Sequence, residues 1–211
     1  MKVLTEHPLA DWSADHVHPK GAATDNTKNP AFNKKLFQKI PALRLLDLGC
    51  AGGGLVASIL QDGGFAIGVD GTDYCQQRSH AEWGTYGGNL LTADITHPFT
   101  LQDDDDNPLV FDVVTAWEVL EHIPEPLIEA MMSNVQAHLV PEGLFICSIS
   151  QEEDPWEGYE YHLTVHDESW WTGRMAELGW LRRPELDEYF APDWVRGPNR
   201  GMTSFAMVVS R

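Results

Sequence analysis

The sequence predicts an α/β fold built on a doubly wound, mostly parallel sheet, and three observations predict it. An apolar run at residues 42–48 turns through Gly49, Gly52, Gly53 and Gly54 into an apolar segment of helical character at 55–60. Further short apolar runs stand at 65–69, 90–93, 110–115 and 143–149, separated by turn residues and helical stretches. Two of these runs stop at an acid, Asp70 and Asp94. Strands buried on both faces read as continuous apolar runs, and ligands of such sheets bind beyond the strands' carboxyl ends.

Taken in order, residues 1–30 carry no helical or strand period and read as irregular. An amphipathic helix follows at 33–40, with Phe32, Leu36, Phe37 and Ile40 on one face and Lys34, Lys35 and Lys39 on the other. This gives an N-terminal arm and entry helix, residues 1–41, expected to cover the site, ahead of a main domain at 42–211. The first strand ends in glycines, which permit tight backbone angles and a close approach to a ligand. The second strand leads to a helix at 72–83, the third to a solvated loop around the four acids at 103–106, and the fourth to a helix at 127–139. That helix sets Leu127, Ile128, Met131, Met132, Val135 and Leu139 on one side. Pro124 and Pro126 sit at its start, where a missing N–H costs little. After the fifth strand comes a loop at 151–161 that mixes acids with Trp156, Tyr159 and Tyr161. Asp167 caps a helix carrying Trp170, Trp171, Met175 and Leu178, which stops at Gly179. Strands at 181–186 and 203–210 close the chain.

Residues 47–53, Asp-Leu-Gly-Cys-Ala-Gly-Gly, resemble motif I of the class I S-adenosylmethionine-dependent methyltransferases, Asp-x-Gly-x-Gly-x-Gly, with Ala51 at the middle glycine. Phe111-Asp112-Val113-Val114, followed by Glu-Val-Leu-Glu-His-Ile-Pro at 118–124, resembles motif IV of the members acting on small molecules. The resemblance spans residues 45–124. It implies a Rossmann-like doubly wound seven-stranded sheet, mostly parallel with an antiparallel last strand, and S-adenosyl-L-methionine as cofactor. The cofactor-binding residues implied are Asp47, Gly49, Cys50, Ala51, Gly52 and Gly53 in the turn, Asp70 and Gly71, Asp94 and Ile95, and Trp117. Asp70 follows Asp47 by 23 residues, the distance at which a strand-end carboxylate can accept from both ribose hydroxyls. In the family the acid at the place of Asp94 receives the adenine amino group, and the residue at the place of Ile95 lies against the ring. A nicotinamide oxidoreductase would also use Asp70, but Ala51 and the glycine spacing disfavour a dinucleotide fingerprint.

Methyl transfer from a sulfonium is an in-line displacement, so the protein mainly aligns the partners and supplies a base where the acceptor is a hydroxyl. His122 and His162 are the candidate bases, because imidazole titrates near working pH. Glu118, Glu121, Trp156 and Tyr161 are the candidate substrate-binding residues, and the expected acceptor is a small polar molecule: a sugar, an amine or a hydroxylated metabolite. One alternative is a catalytically inactive cofactor-binding scaffold or partner subunit. Another is a metal-assisted O-methyltransferase. Glu118, Glu121 and His122 with His162 resemble the metal ligands of small-RNA terminal 2′-O-methyltransferases and the Glu-x-x-Glu-His pattern of some quinone-pathway O-methyltransferases. The leading expectation is no metal.

The formal net charge is −18, and residues 45–173 hold 23 acids against one basic residue, Arg78. A field of that sign makes nucleic acid and anionic membrane poor partners. No run of 18 apolar residues exists to span a bilayer. Cys50, Cys75 and Cys147 are odd in number and widely spaced, without a zinc or redox motif. The first residues lack a signal-peptide order, and the expected compartment is the cytoplasm.

Overall fold

The computed structural model describes residues 1–198 and 203–211. The chain opens with a strand, β1 (Lys2–Thr5), and two short helices, α1 (Ala14–Val17) and α2 (Lys20–Thr24). The entry helix α3 (Pro30–Lys39) is capped by Asn29, whose side chain accepts from the Ala31 N–H. An alternation of strands and helices follows: β2 (Arg44–Leu48), α4 (Gly54–Gln61), β3 (Phe65–Asp70), α5 (Tyr74–Arg78), α6 (Trp83–Tyr86) and β4 (Leu90–Thr92). Next come β5 (Phe99–Gln102), β6 (Phe111–Trp117), α7 (Ile128–His138) and β7 (Leu139–Ser150). A small hairpin, β8 (Pro155–Trp156) and β9 (Tyr159–Glu160), precedes α8 (Glu168–Glu177), β10 (Leu181–Arg182), α9 (Pro184–Phe190) and β11 (Ser204–Ser210).

Seven strands form one sheet in the order β10-β11-β7-β6-β2-β3-β4. The five from β4 to β7 run parallel, and β11 is antiparallel to both of its neighbours. This is the Rossmann-like doubly wound sheet that the sequence led us to expect. The sheet is buried on both faces because alternate residues of each strand feed different layers. Leu46 and Leu48 join Ile67, Val69, Phe145 and Cys147 beneath α7 and α8, while Leu45 joins Ala66, Val113 and Ile146 beneath α3, α4 and α9.

Three expectations need correction. Residues 1–30 are not irregular: β1 pairs antiparallel with β5, and two single-turn helices follow. Elements of four or five residues are too short to display a period. The helix expected at 72–83 is two pieces, α5 and α6, because Ser79 and Ala81 adopt φ of +49°, which ends a right-handed helix. The strand expected at 181–186 stops at Arg182, and Pro184 starts α9 instead. The acid loop at 103–106 is exposed, as expected, and it receives the chain's N-terminus: the Met1 ammonium lies 2.7 Å from Asp104, and Lys2 pairs with Asp106.

Candidate active site

A cavity of about 480 Å³ opens beyond the carboxyl ends of β2, β3, β4 and β6. Its floor is the glycine turn. Gly49 has φ +70°, and an added Cβ would stand 2.5 Å from Val119 Cγ2, so only glycine passes beneath the loop that follows β6. Ala51 takes φ +44°, a left-handed conformation in which the middle glycine of the motif would be at ease. Its N–H donates to Asp70 Oδ2 at 2.7 Å, and the Thr72 N–H donates to Asp70 Oδ1 at 3.0 Å. Burial nevertheless raises the Asp70 carboxyl above its ordinary range.

The remaining turn residues point elsewhere. Asp47 lies beneath the turn, 4% exposed, accepting from the Thr115 hydroxyl at 2.7 Å. Burial pushes its pKa up to about 7; the Thr115 hydrogen bond opposes that rise and the nearby Asp70 charge adds to it. Cys50 packs its sulfur against Gly68. Gly52 and Gly54 make room for the N-terminal arm: added Cβ atoms would lie 2.7 Å from Asp25 O and 2.5 Å from Asn26 O. Gly53, at φ +84°, lets the chain pass Leu90.

Asp94 is 2% exposed, and its oxygens are filled. Oδ1 accepts from the Thr96 N–H and hydroxyl, and Oδ2 lies 2.7 Å from the Trp12 indole nitrogen and 3.0 Å from His97 Nδ1. Burial alone would raise Asp94, but these donors hold it below its ordinary value. Gly71, Ile95 and Trp117 complete this side of the wall.

The other side is built where β6 ends. Glu118 takes φ +56°, strain of a kind that collects at functional sites. Its Oε2 accepts from the Ser204 hydroxyl at 2.9 Å, and its Oε1 is buried without a partner among the described residues. Glu121 is fully buried; Oε1 accepts from the Ser150 N–H at 2.9 Å, and Oε2 has no partner among the described residues. Burial first, and the Glu118 charge second, push Glu121 up to about 8. The Glu121 carbonyl accepts from the N–H groups of Leu163 and Thr164, at 2.7 and 3.0 Å, and this draws His162 to within 4.8 Å of His122, ring centroid to centroid. His162 is lowered by burial. Burial would lower His122 too, but its hydrogen bond to Asp15 and the charges of Asp15, Glu121 and Asp154 together outweigh it, and the net shift is upward. One ligand atom each from Glu121, His122 and His162 lies within 4.8 Å of the others, a spacing that could hold a metal ion.

The arm lines the cavity, and its individual side chains there are what sequence reasoning did not name. Trp12, Asp15, Lys20 and Asp25 all line the cavity. Lys20 Nζ lies 2.7 Å from Asp154 and 5.4 Å from the Tyr161 ring centroid, while the Tyr161 hydroxyl donates to His18 O at 2.8 Å. Tyr161 lines the cavity; Trp156 stands at the hairpin tip, 40% exposed and outside the wall, near the His18 ring. The only signal in the arm was its run of polar and ionisable residues, which irregular loops share.

A sheet of this order with its cavity at the strand ends defines a Rossmann-like doubly wound α/β protein. The chain belongs to the methyltransferase domain family, whose model matches residues 18–190. It is similar to ubiquinone biosynthesis O-methyltransferases, with 32% identity over 157 residues to that of Serratia proteamaculans (strain 568), covering 68% of this chain and 62% of that protein. The Coxiella burnetii (strain Dugway 5J108-111) protein is 32% identical over 149 residues, covering 68% and 60%. The chain therefore spans somewhat over three-fifths of the length of these relatives. Among solved structures it resembles the 1,6-didemethyltoxoflavin-N1-methyltransferase of Burkholderia thailandensis, bound to 1,6-didemethyltoxoflavin and S-adenosylhomocysteine. The TM-score is 0.62 at 16% identity, covering 95% of this chain and 85% of that one. An S-adenosylmethionine-bound amino pentose methyltransferase from Micromonospora echinaspora gives 0.55 at 16% identity, covering 85% and 88%. At such identities the likeness is one of fold.

Proposed function

We propose that this chain transfers a methyl group from S-adenosyl-L-methionine to a small polar acceptor. The observation that carries the reading is a single cavity walled on one side by the glycine turn, Asp70 and Asp94, and on the other by Glu118, His122 and His162. Gly49, Ala51, Asp70, Gly71, Ile95 and Trp117 hold the cofactor, Asp94, its oxygens already taken by Trp12, Thr96 and His97, fixes the wall beside it, and Asp47, Cys50, Gly52 and Gly53 shape the turn from behind. The fit rests on the cavity above the glycine turn and on the acceptor lone pairs that Asp70 keeps beyond the Ala51 and Thr72 N–H groups. When bound, the cofactor supplies an electrophilic methyl on a positively charged sulfur.

The acceptor sits towards Glu118, Glu121 and Tyr161. Among the described residues, eight carboxylates line the cavity against two cationic side chains, Lys20 and Arg196, each paired with an acid. Such a wall disfavours a phosphorylated acceptor and suits a neutral or cationic one, a sugar, an amine or a hydroxylated ring. For a hydroxyl acceptor His122 takes the proton, with His162 beside it. Residues 1–41 act as the cover, held to the main domain by the Trp12–Asp94, Asp15–His122 and Lys20–Asp154 contacts. Calorimetry is expected to show S-adenosylhomocysteine binding and no NAD binding. A panel of phenols, sugars and amines with labelled donor then finds the acceptor class. Binding without turnover on any of them would favour the scaffold reading.

A second reading is favoured by Glu121, His122 and His162, whose ligand atoms lie within 4.8 Å of one another, and by Glu118 Oε1 and Glu121 Oε2, buried without a partner among the described residues. Two carboxylates and two imidazoles suit a divalent cation, which would lower the pKa of a bound hydroxyl. Loss of activity in a chelator, restored by a divalent ion, separates this reading from simple base catalysis by His122.

A further inference from the structure

The His122 ring has two nitrogens, and one of them is committed to the arm. Nδ1 lies 2.7 Å from Asp15 Oδ2. Asp15 stands in the first turn of α1, where its N–H donates to the Ser13 hydroxyl at 3.1 Å, so the carboxylate is held by local backbone structure. An ionised carboxylate only accepts, and the proton between the two groups therefore belongs to Nδ1. In the neutral ring Nε2 then carries the lone pair. His162 repeats the arrangement: its Nδ1 meets the Glu152 carbonyl oxygen, another pure acceptor.

We propose that Asp15 is a positioning residue, which holds the His122 proton on Nδ1 and so presents the Nε2 lone pair to the cavity. The same lone pair serves a proton from an acceptor hydroxyl or a cation held with Glu121 and His162. Asp15 lies in the arm, before the residues 18–190 that match the family. Orientation of a working imidazole by a carboxylate on its far nitrogen is a general device. Here it makes the site incomplete until the arm is docked. The inference rests on the reading of His122 as the acceptor-facing group.

The test is the tautomer of His122, read by long-range proton–nitrogen NMR on imidazole-labelled, metal-free full-length protein at a pH where the ring is neutral. The Nδ1–H form is expected in the wild type, with a switch to predominantly Nε2–H in Asp15→Ala. Asp15→Asn, which keeps an oxygen acceptor at similar reach, is expected to retain more of the Nδ1–H form than Asp15→Ala. Lys20→Ala, which breaks a different tether of the arm, is expected to leave the tautomer unchanged. An Nε2–H wild type, an unaffected Asp15→Ala, or an equal switch in Lys20→Ala would overturn the proposal. The functional reading is tested apart from this, since a wild type that fails to bind S-adenosylhomocysteine refutes the cofactor while the tautomer result stands.

Discussion

Two side chains at the glycine turn, one within it and one bracing it from the end of β3, carry opposite expectations. Asp70 braces the turn through the Ala51 N–H and, as the proposed ribose acceptor, has lone pairs left for the diol. Asp70→Ala is expected to weaken S-adenosylhomocysteine binding by about 1.5–3 kcal/mol, the scale of hydrogen bonds to a charged group. Unchanged affinity in a calorimetric titration would remove it from the cofactor site. Ala51 is the reverse case, a residue whose backbone suits a glycine. Left-handed conformation costs an alanine about 1–2 kcal/mol, and a glycine gives back about 0.4–1 kcal/mol through the unfolded chain. Ala51→Gly should therefore stabilise the protein by a few tenths to about 1 kcal/mol in a denaturant titration. A loss of stability would mean that the alanine methyl packs against something worth more than the strain.

At the scale of elements, the arm and the glycine turn are one unit. The carbonyls of Asp25 and Asn26 occupy the room that Gly52 and Gly54 leave. Gly54→Ala would push a methyl to 2.5 Å from Asn26 O, and since that neighbour is backbone the arm itself must shift. Overpacking of this kind costs about 1–3 kcal/mol. Limited proteolysis is expected to cut faster within residues 20–30 in the variant, while cleavage elsewhere stays slow. Equal protection in both proteins would show that the arm docks by other contacts. The sheet was legible because buried parallel strands write long apolar runs, and α7 and α8 because their stripes and caps span three turns. The arm was expected as a cover, but its internal structure was not legible. Its elements are single turns, and what fixes them is tertiary: Trp12 on Asp94, Asp15 on His122, and the Ala10 N–H on the Gly71 carbonyl at 2.8 Å. For the same reason His122 and His162 could be named from sequence, but their meeting depends on the Glu121 carbonyl, which no motif records.

Over the whole molecule, acid excess and buried acids both tie stability to pH, and salt separates them. Ionising the surface carboxylates builds repulsion as pH rises, a long-range effect that salt screens beyond about 10 Å at 0.1 M. Asp47 acts locally. Its carboxyl ionises near 3.8 in the unfolded chain and near 7 in the fold, where burial opposes the charge. Between those values the folded protein holds the extra proton. Its contribution is therefore complete below about pH 4, falls as pH rises, and is spent above pH 7. Taken alone, a shift of this size corresponds to at most on the order of 4 kcal/mol. Asp47→Asn keeps an oxygen for the Thr115 hydroxyl but cannot ionise, so the variant's melting temperature should fall less than the wild type's between pH 5 and pH 7.5. The difference is expected to reach several degrees, since about 1 kcal/mol moves the midpoint of a domain this size by about 2–4 °C. It should persist in 1 M salt, where the surface contribution has been screened. Parallel melting curves, or a difference that vanishes with salt, would take the pH dependence away from Asp47, to the surface acids or to the other buried carboxylates such as Glu121, and leave Asp47 charged in the fold.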